Sequence, residues 1–373
     1  MTQNIGAGRP GVAYQARQLG LAFNAVLGII MSLFLSLGAG TILSGVGVAD
    51  ALMQPAKTYL QIVGGFCILN ALIPICSSYL RAFGFSKEPL YASIIGNVIN
   101  FCLNAFFLFV LHKGVAGVAT ATVISRIINL VIVVLLGAVL VKAKQHPERE
   151  SNRAVMGQII RIGLPSACET AIYNVSMTLV IRFLNQMDAQ GLNVTARSYT
   201  MQITNFSYCV GAALAQANAI MTGWHIGAKE YDACDRGTRK AAIIGVIVAV
   251  ILETMFALCS GWIMQLFSKD PQMVSLVGKL LAIDIVLEMG RVTNLVYGQA
   301  LKTSGDAVFP VVMGACFMIL CSVGGTYLFG IRLGLLAVGA YIGMAGDECV
   351  RAVGMYLRWK SGKWKEKGLV KSR

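Results

Sequence analysis

The chain has 373 residues, 56% of them apolar and only 13% charged, and it carries a net charge of +14. Soluble domains hold about 25% charged residues, so an ordinary water-soluble enzyme is excluded. Disorder is excluded too, since it needs low hydrophobicity. What remains is a polytopic helical membrane protein, because about twenty apolar residues span a bilayer.

Ten apolar segments follow one another, lettered A to J. A covers about 19–42, B about 58–80, C about 89–111 and D about 116–141. E covers about 164–185, F about 196–222, G about 241–264, H about 274–300, I about 308–330 and J about 334–357. F is unusually polar, with Arg197, Gln202, Asn205, Gln216 and Asn218, so one side of it must face protein or water. Pro89, Pro271 and Pro310 stand at helix starts, where a missing N–H costs nothing. Pro165 falls in the first turn of E, and Pro74 within B predicts a kink there.

Basic residues alternate from loop to loop, about 21 on one side against five on the other. The first side holds Arg81, Lys144, Lys302 and the tail from Arg358 to Arg373; the second holds Lys57, Lys113, Arg197, Lys269 and Arg332. Both termini are therefore expected in the cytoplasm. This distribution is not a binding stripe, so no nucleic-acid partner is expected. The ten cysteines lie mostly in apolar runs without CxxC spacing, and the three histidines sit in loops. Neither pattern predicts a metal site or a cofactor.

The sequence also resembles itself at an offset of 221. Ile5-Gly6-Ala7 pairs with Ile226-Gly227-Ala228, Leu80-Arg81 and Gly84 with Leu301-Lys302 and Gly305, and Pro89 with Pro310. The expected fold is all-α: about ten transmembrane helices in two parallel-repeat bundles. The expected domains are a four-helix N-lobe at 1–141, a cytoplasmic linker at 142–163, a six-helix C-lobe at 164–357 and a basic tail at 358–373. Helices E and F have no partners in the first half, so two further helices are expected to be missing before Met1.

Charges inside spans are functional hypotheses. Helix H carries Asp284, Glu288 and Arg291 on one face at spacings of four and three. That set suits either a charge-neutral structural cluster or a carboxylate that exchanges Na+ or H+. Glu169 in E, with Tyr173 and Asn174 nearby, is a further ion-coupling or cavity candidate. Asp347, Glu348 and Arg351 in J read as a structural charge cluster. Asn97, Asn100 and Asn104 form a polar stripe that suits interhelical hydrogen bonds or a cavity lining. Asn205 joins the cavity candidates. Arg126, Arg182 and Glu253 stand alone. With no Walker loop, GxSxG or HExxH motif, no enzyme is predicted.

Taken together, Gly6-Ala7-Gly8 with Gly227-Ala228-Lys229, Leu80-Arg81-Ala82-Phe83-Gly84 before Pro89, the three asparagines, Gly163-Leu164-Pro165, Leu301-Lys302-Thr303-Ser304-Gly305-Asp306 before Pro310, Glu288-Met289-Gly290-Arg291 and Asp347-Glu348 resemble the MATE family, the multidrug and toxic compound extrusion transporters. The resemblance implies a monomeric antiporter in the bilayer. It would export amphiphilic or cationic organic compounds against Na+ or H+ by alternating access of two lobes. It implies coupling acids in E and H. Arg291 stands about where many members carry an acid, and Glu288 lies one turn away. A lipid or lipid-linked oligosaccharide flippase of similar architecture, or a shortened inactive remnant, stays open as an alternative.

Overall fold

The computed structural model describes residues 1–46, 48–142, 146–188 and 191–368. Lys144, and Lys371 and Arg373 of the basic tail, lie outside the described residues. All regular structure among the described residues is helical. The chain forms two compact units, Met1–Ile159 and Ile160–Arg373. The first contains α1 (Thr2–Gly6), α2 (Pro10–Leu37), α3 (Ala39–Val46), α4 (Asp50–Gly65), α5 (Ile68–Ala82), α6 (Lys87–Ala105), a π-helical turn at Phe106–Val110, and α7 (Gly114–Leu140). Helix α8 (Asn152–Met187) leads into the second unit. There follow α9 (Leu192–Gly227), α10 (Tyr231–Leu258), α11 (Ser260–Met264), α12 (Pro271–Ser304) and α13 (Val308–Phe317). Two π segments, Met318–Val323 and Thr326–Arg332, precede α14 (Leu336–Lys360) and a closing turn at Lys363–Lys367.

The expectation of about ten transmembrane helices in a four-plus-six arrangement is corrected. Among the described residues, five helices are long and apolar enough to cross a membrane, or six if the bent pair α4–α5 counts as one. The reason is physical. Segments E, F, H and J became α8, α9, α12 and α14, which are long but carry charged and polar side chains along their length. In α12 alone stand Lys279, Asp284, Glu288 and Arg291. Segment B is broken, with a 41° bend between Gly65 and Ile68. Pro74, where a kink was expected, sits inside α5. Segment E starts earlier than expected, so Pro165 lies well inside α8 and part of the predicted linker is helical.

Local geometry recurs between the units. Helices α2 and α10 begin at Pro10 and Tyr231 and end at Leu37 and Leu258, 221 residues apart at both ends. Gly84 and Gly305 follow α5 and α12 with φ of 89° and 100°, the left-handed conformation that glycine takes without steric cost. Beyond the π turns the offset is 222. The Leu111 N–H donates to the Phe106 carbonyl at 3.1 Å, and the Leu333 N–H to the Leu328 carbonyl at 3.0 Å. A Cβ on Gly117 would sit 2.7 Å from Phe107 Cβ, and one on Gly339 2.4 Å from the Phe329 carbonyl carbon. The extra residue coincides with the π segment Met318–Val323, which has no counterpart in α6. A π turn takes one more residue than an α turn.

Side chains divide as a lipid-exposed protein requires. Val26, Phe101, Val139, Ile251 and Leu258 are large, apolar and exposed, which a water-facing surface would not tolerate in such number. The main core of the second unit packs Leu280, Leu281 and Leu287 of α12 against Val180, Leu184, Ile203 and Ala340. Helices α12 and α14 approach closely at Gly290, where an added Cβ would meet the Cys349 nitrogen at 2.8 Å. The turn after α14 is clamped down. Asp306, 1% exposed, accepts hydrogen bonds from Arg358 Nε and Lys367 Nζ, each at 2.7 Å. Trp359 and Trp364 stack with centroids 4.1 Å apart, and Trp359 Nε1 donates to Asp235 Oδ1 at 2.8 Å.

Candidate substrate cavity and buried ionic network

A cavity of about 670 Å³ lies within the second unit, between α8, α9, α12, α13 and α14. That volume is in the range of small-molecule sites. It is lined in part by Glu169, Tyr173, Asn174, Asn205, Asp284 and Arg291. Asp284 and Lys302 both face it, eighteen residues apart on α12, or about 27 Å along the helix axis. Met177, Met201, Met318 and Met344 add polarizable, adaptable surface.

The helical spacing of α12 builds the ionic network. Asp284, Glu288 and Arg291 share one face. Arg291 Nη1 donates to Glu288 Oε2 at 2.8 Å, and its Nε lies 3.6 Å from Glu348 Oε1 on α14. Arg351 continues the chain, 2.9 Å from Glu348 Oε1 and 2.9 Å from Asp347 Oδ1. Asn294 donates to the other Glu348 oxygen at 3.0 Å, and Ser322 donates to Asp347 Oδ2 at 2.9 Å. Signs thus alternate from Glu288 through Arg291, Glu348 and Arg351 to Asp347. Separately, Lys302 Nζ pairs with Glu169 Oε2 at 2.5 Å.

The network carries an excess of acid. Glu288 is fully buried and its Oε1 has no hydrogen-bond partner among the described residues; the same holds for Asp284 Oδ2. Glu253 on α10 is also fully buried, with only the Ser207 hydroxyl as a polar neighbour of its carboxyl among the described residues, and it interacts electrostatically with Asp284, Glu288 and Arg291. Five buried carboxylates (Glu253, Asp284, Glu288, Asp347, Glu348) therefore share two guanidiniums, Arg291 and Arg351. Uncompensated carboxylates are costly in a low-dielectric interior. Such a network favours taking up positive charge.

The structure brings together the candidates of α8, α9, α12 and α14. Asn97, Asn100 and Asn104 belong to the first unit. There Asn104 donates to Asn100 at 3.0 Å, and Asn100 to Ser125 of α7 at 3.4 Å. Sequence reasoning missed the Lys302–Glu169 pair and the cavity positions of Arg197 and Tyr341. The polarity of segment F was the available signal for Arg197.

Comparison with known proteins agrees with this architecture. The MatE family model matches residues 1–106 and 165–328. The chain is similar to an uncharacterized transporter, YisQ, of Bacillus subtilis, 32% identical over 99% of this chain and 82% of that protein. It is also similar to a probable multidrug resistance protein, NorM, of Thermotoga maritima, 22% identical over 91% of this chain and 76% of that one. Its fold is similar to the crystal structure of MATE in the straight conformation, with a TM-score of 0.87 at 18% identity, covering 98% of this chain and 82% of that one. Because the family model spans more than half the chain and reaches into both units, the chain belongs to the MatE family of multidrug-efflux membrane transporters and is not an enzyme.

Proposed function

We propose that this chain exports small amphiphilic organic compounds from a bacterial cell, as a monomer in the plasma membrane with both termini in the cytoplasm. Uptake of cations by the buried acidic network drives the export. The cavity of the second unit is the substrate site, exposed in turn to the two sides of the membrane. The observation that carries this reading is the excess of buried carboxylates over guanidiniums beside that cavity. The coupling cation is H+ or Na+, since an unpartnered buried carboxylate can take up either. Protonation of Glu288 would cancel its pair with Arg291, and Arg291 would then lean on Glu348. A buried charge change of that kind is worth a few kcal/mol, enough to shift a two-state equilibrium at least tenfold.

The test is Glu288→Gln in proteoliposomes with imposed proton or sodium gradients. The neutral amide keeps the shape and removes the titratable group. Dye efflux driven by the gradient should fall at least tenfold, while dye binding at zero gradient persists. Unchanged efflux at equal protein content rejects Glu288 as the coupling acid. Efflux driven only by sodium rejects protons.

A further inference from the structure

Among the described residues, one cation of the cavity has no carboxylate partner. Arg197, in the second turn of α9, lines the cavity yet is only 7% exposed. Lys302 is neutralised by Glu169, Arg291 by Glu288 and Glu348, and Arg351 by Asp347 and Glu348. Arg197 enters no ion pair among the described residues. Its Nε has no hydrogen-bond partner there, and its Nη2 reaches only the Met177 sulfur, at 3.8 Å. The charged neighbours of Tyr341 include both Arg197 and Asp284, yet Asp284 forms no ion pair with Arg197. A guanidinium buried without a counter-anion is unfavourable, and its planar fork of donors suits a carboxylate. Around it, Met177 and Met201 offer apolar thioether surface, while Thr204 and Asn205 offer uncharged polar groups.

We propose that Arg197 is an anion subsite of this cavity. It takes the carboxylate of an amphiphilic substrate whose apolar body packs on Met177 and Met201. The transporter therefore accepts zwitterionic and anionic compounds, not cations alone. This rests on reading the cavity as the substrate site, but its test is a binding measurement that needs no transport.

The probes are rhodamine B and its ethyl ester, which share one cationic ring system and differ by the free carboxylate. Binding to the purified full chain is read by fluorescence polarisation. The wild type should hold the acid more tightly than the ester. Arg197→Gln should weaken the acid about tenfold, as loss of one charge-assisted hydrogen bond would, and the ester less than about twofold. Arg197→Lys should retain part of the preference. Equal losses for both probes, or no loss for either, would overturn the subsite. So would a wild type that binds the acid no better than the ester, a comparison that holds even if Arg197→Gln fails to fold. A wild type that shows no acid preference while its efflux still depends on Glu288 rejects the subsite alone. The binding pattern intact without gradient-driven efflux rejects only the export reading.

Discussion

Gly290 sets the spacing of the two helices that carry the ionic network, which makes Gly290→Ala an informative substitution. The new Cβ would lie 2.8 Å from both the Cys349 nitrogen and the Glu348 carbonyl carbon, and 3.1 Å from Cys349 Cα. All three atoms are backbone, so no rotamer change relieves the overlap. Ordinary van der Waals contact begins near 3.4 Å, so α12 and α14 must separate by about 0.6 Å at this point. Overpacking of this kind costs about 1–3 kcal/mol, and alanine's better helix propensity returns up to about 1 kcal/mol. A net loss of about 1–2 kcal/mol follows. Gly346→Ala on α14 is the matched control, because nothing lies within 4 Å of its added Cβ. It should be neutral or stabilising by up to about 1 kcal/mol. The assay is thermal unfolding of both variants in one detergent, followed by intrinsic fluorescence. Gly290→Ala should melt below the wild type and Gly346→Ala at or above it. If Gly290→Ala melts at or above Gly346→Ala, the close approach does not constrain the helices as argued.

Two further outcomes concern the end of α12. Burial of Asp306 works to raise its pKa, but hydrogen bonds from Arg358 and Lys367 outweigh it and hold the carboxyl below its ordinary 3.8. A depressed folded pKa means that the clamp's stability is fully present above pH 3.8 and is lost as pH falls through the lower folded value. Asp306→Asn should lower thermal stability at pH 7 by about 2–3 kcal/mol, reduced from the full cost of breaking a buried pair because both cations are partly solvated. The difference between variant and wild type should shrink as the pH is taken below 3.8; a pH-independent difference would contradict the assignment. Gly305→Ala should cost about 1 kcal/mol or more, since its φ of 100° is foreign to L side chains; a melting curve unchanged from wild type would contradict it.

The sequence made part of this legible. The face shared by Asp284, Glu288 and Arg291 follows from helical periodicity alone, and so does the pair between Asp347 and Arg351. Periodicity within a helix cannot say which neighbouring helix a face meets. The bond from Arg291 to Glu348 and the pair of Lys302 with Glu169 depend on packing and so were hidden. Lys302 was read as a loop cation because loop charge sets topology, whereas its side chain turns into the cavity. The count of crossing helices came out too high for a related reason. A segment that lines a polar cavity must give up apolar residues, so length and hydropathy stop agreeing for α8, α9, α12 and α14. The break in segment B fell at Phe66–Cys67, while α5 runs on through Pro74, because a helix in a membrane protein can carry a proline when neighbouring groups satisfy the freed carbonyl.

The π segment Met318–Val323 has a consequence for how one copy of a duplicated bundle acquires new chemistry. An added residue inside an α-helix would normally rotate everything beyond it by about 100° and scramble its neighbours. Here the wide turn swallows the surplus, so Ser322 meets Asp347 where, 222 residues earlier, Asn100 meets Ser125. A neutral amide–hydroxyl contact in one copy thus corresponds to a hydroxyl–carboxylate contact in the other, on scaffolding that otherwise keeps its register. Length changes healed this locally let one half gather carboxylates where its twin keeps neutral groups at the matching positions.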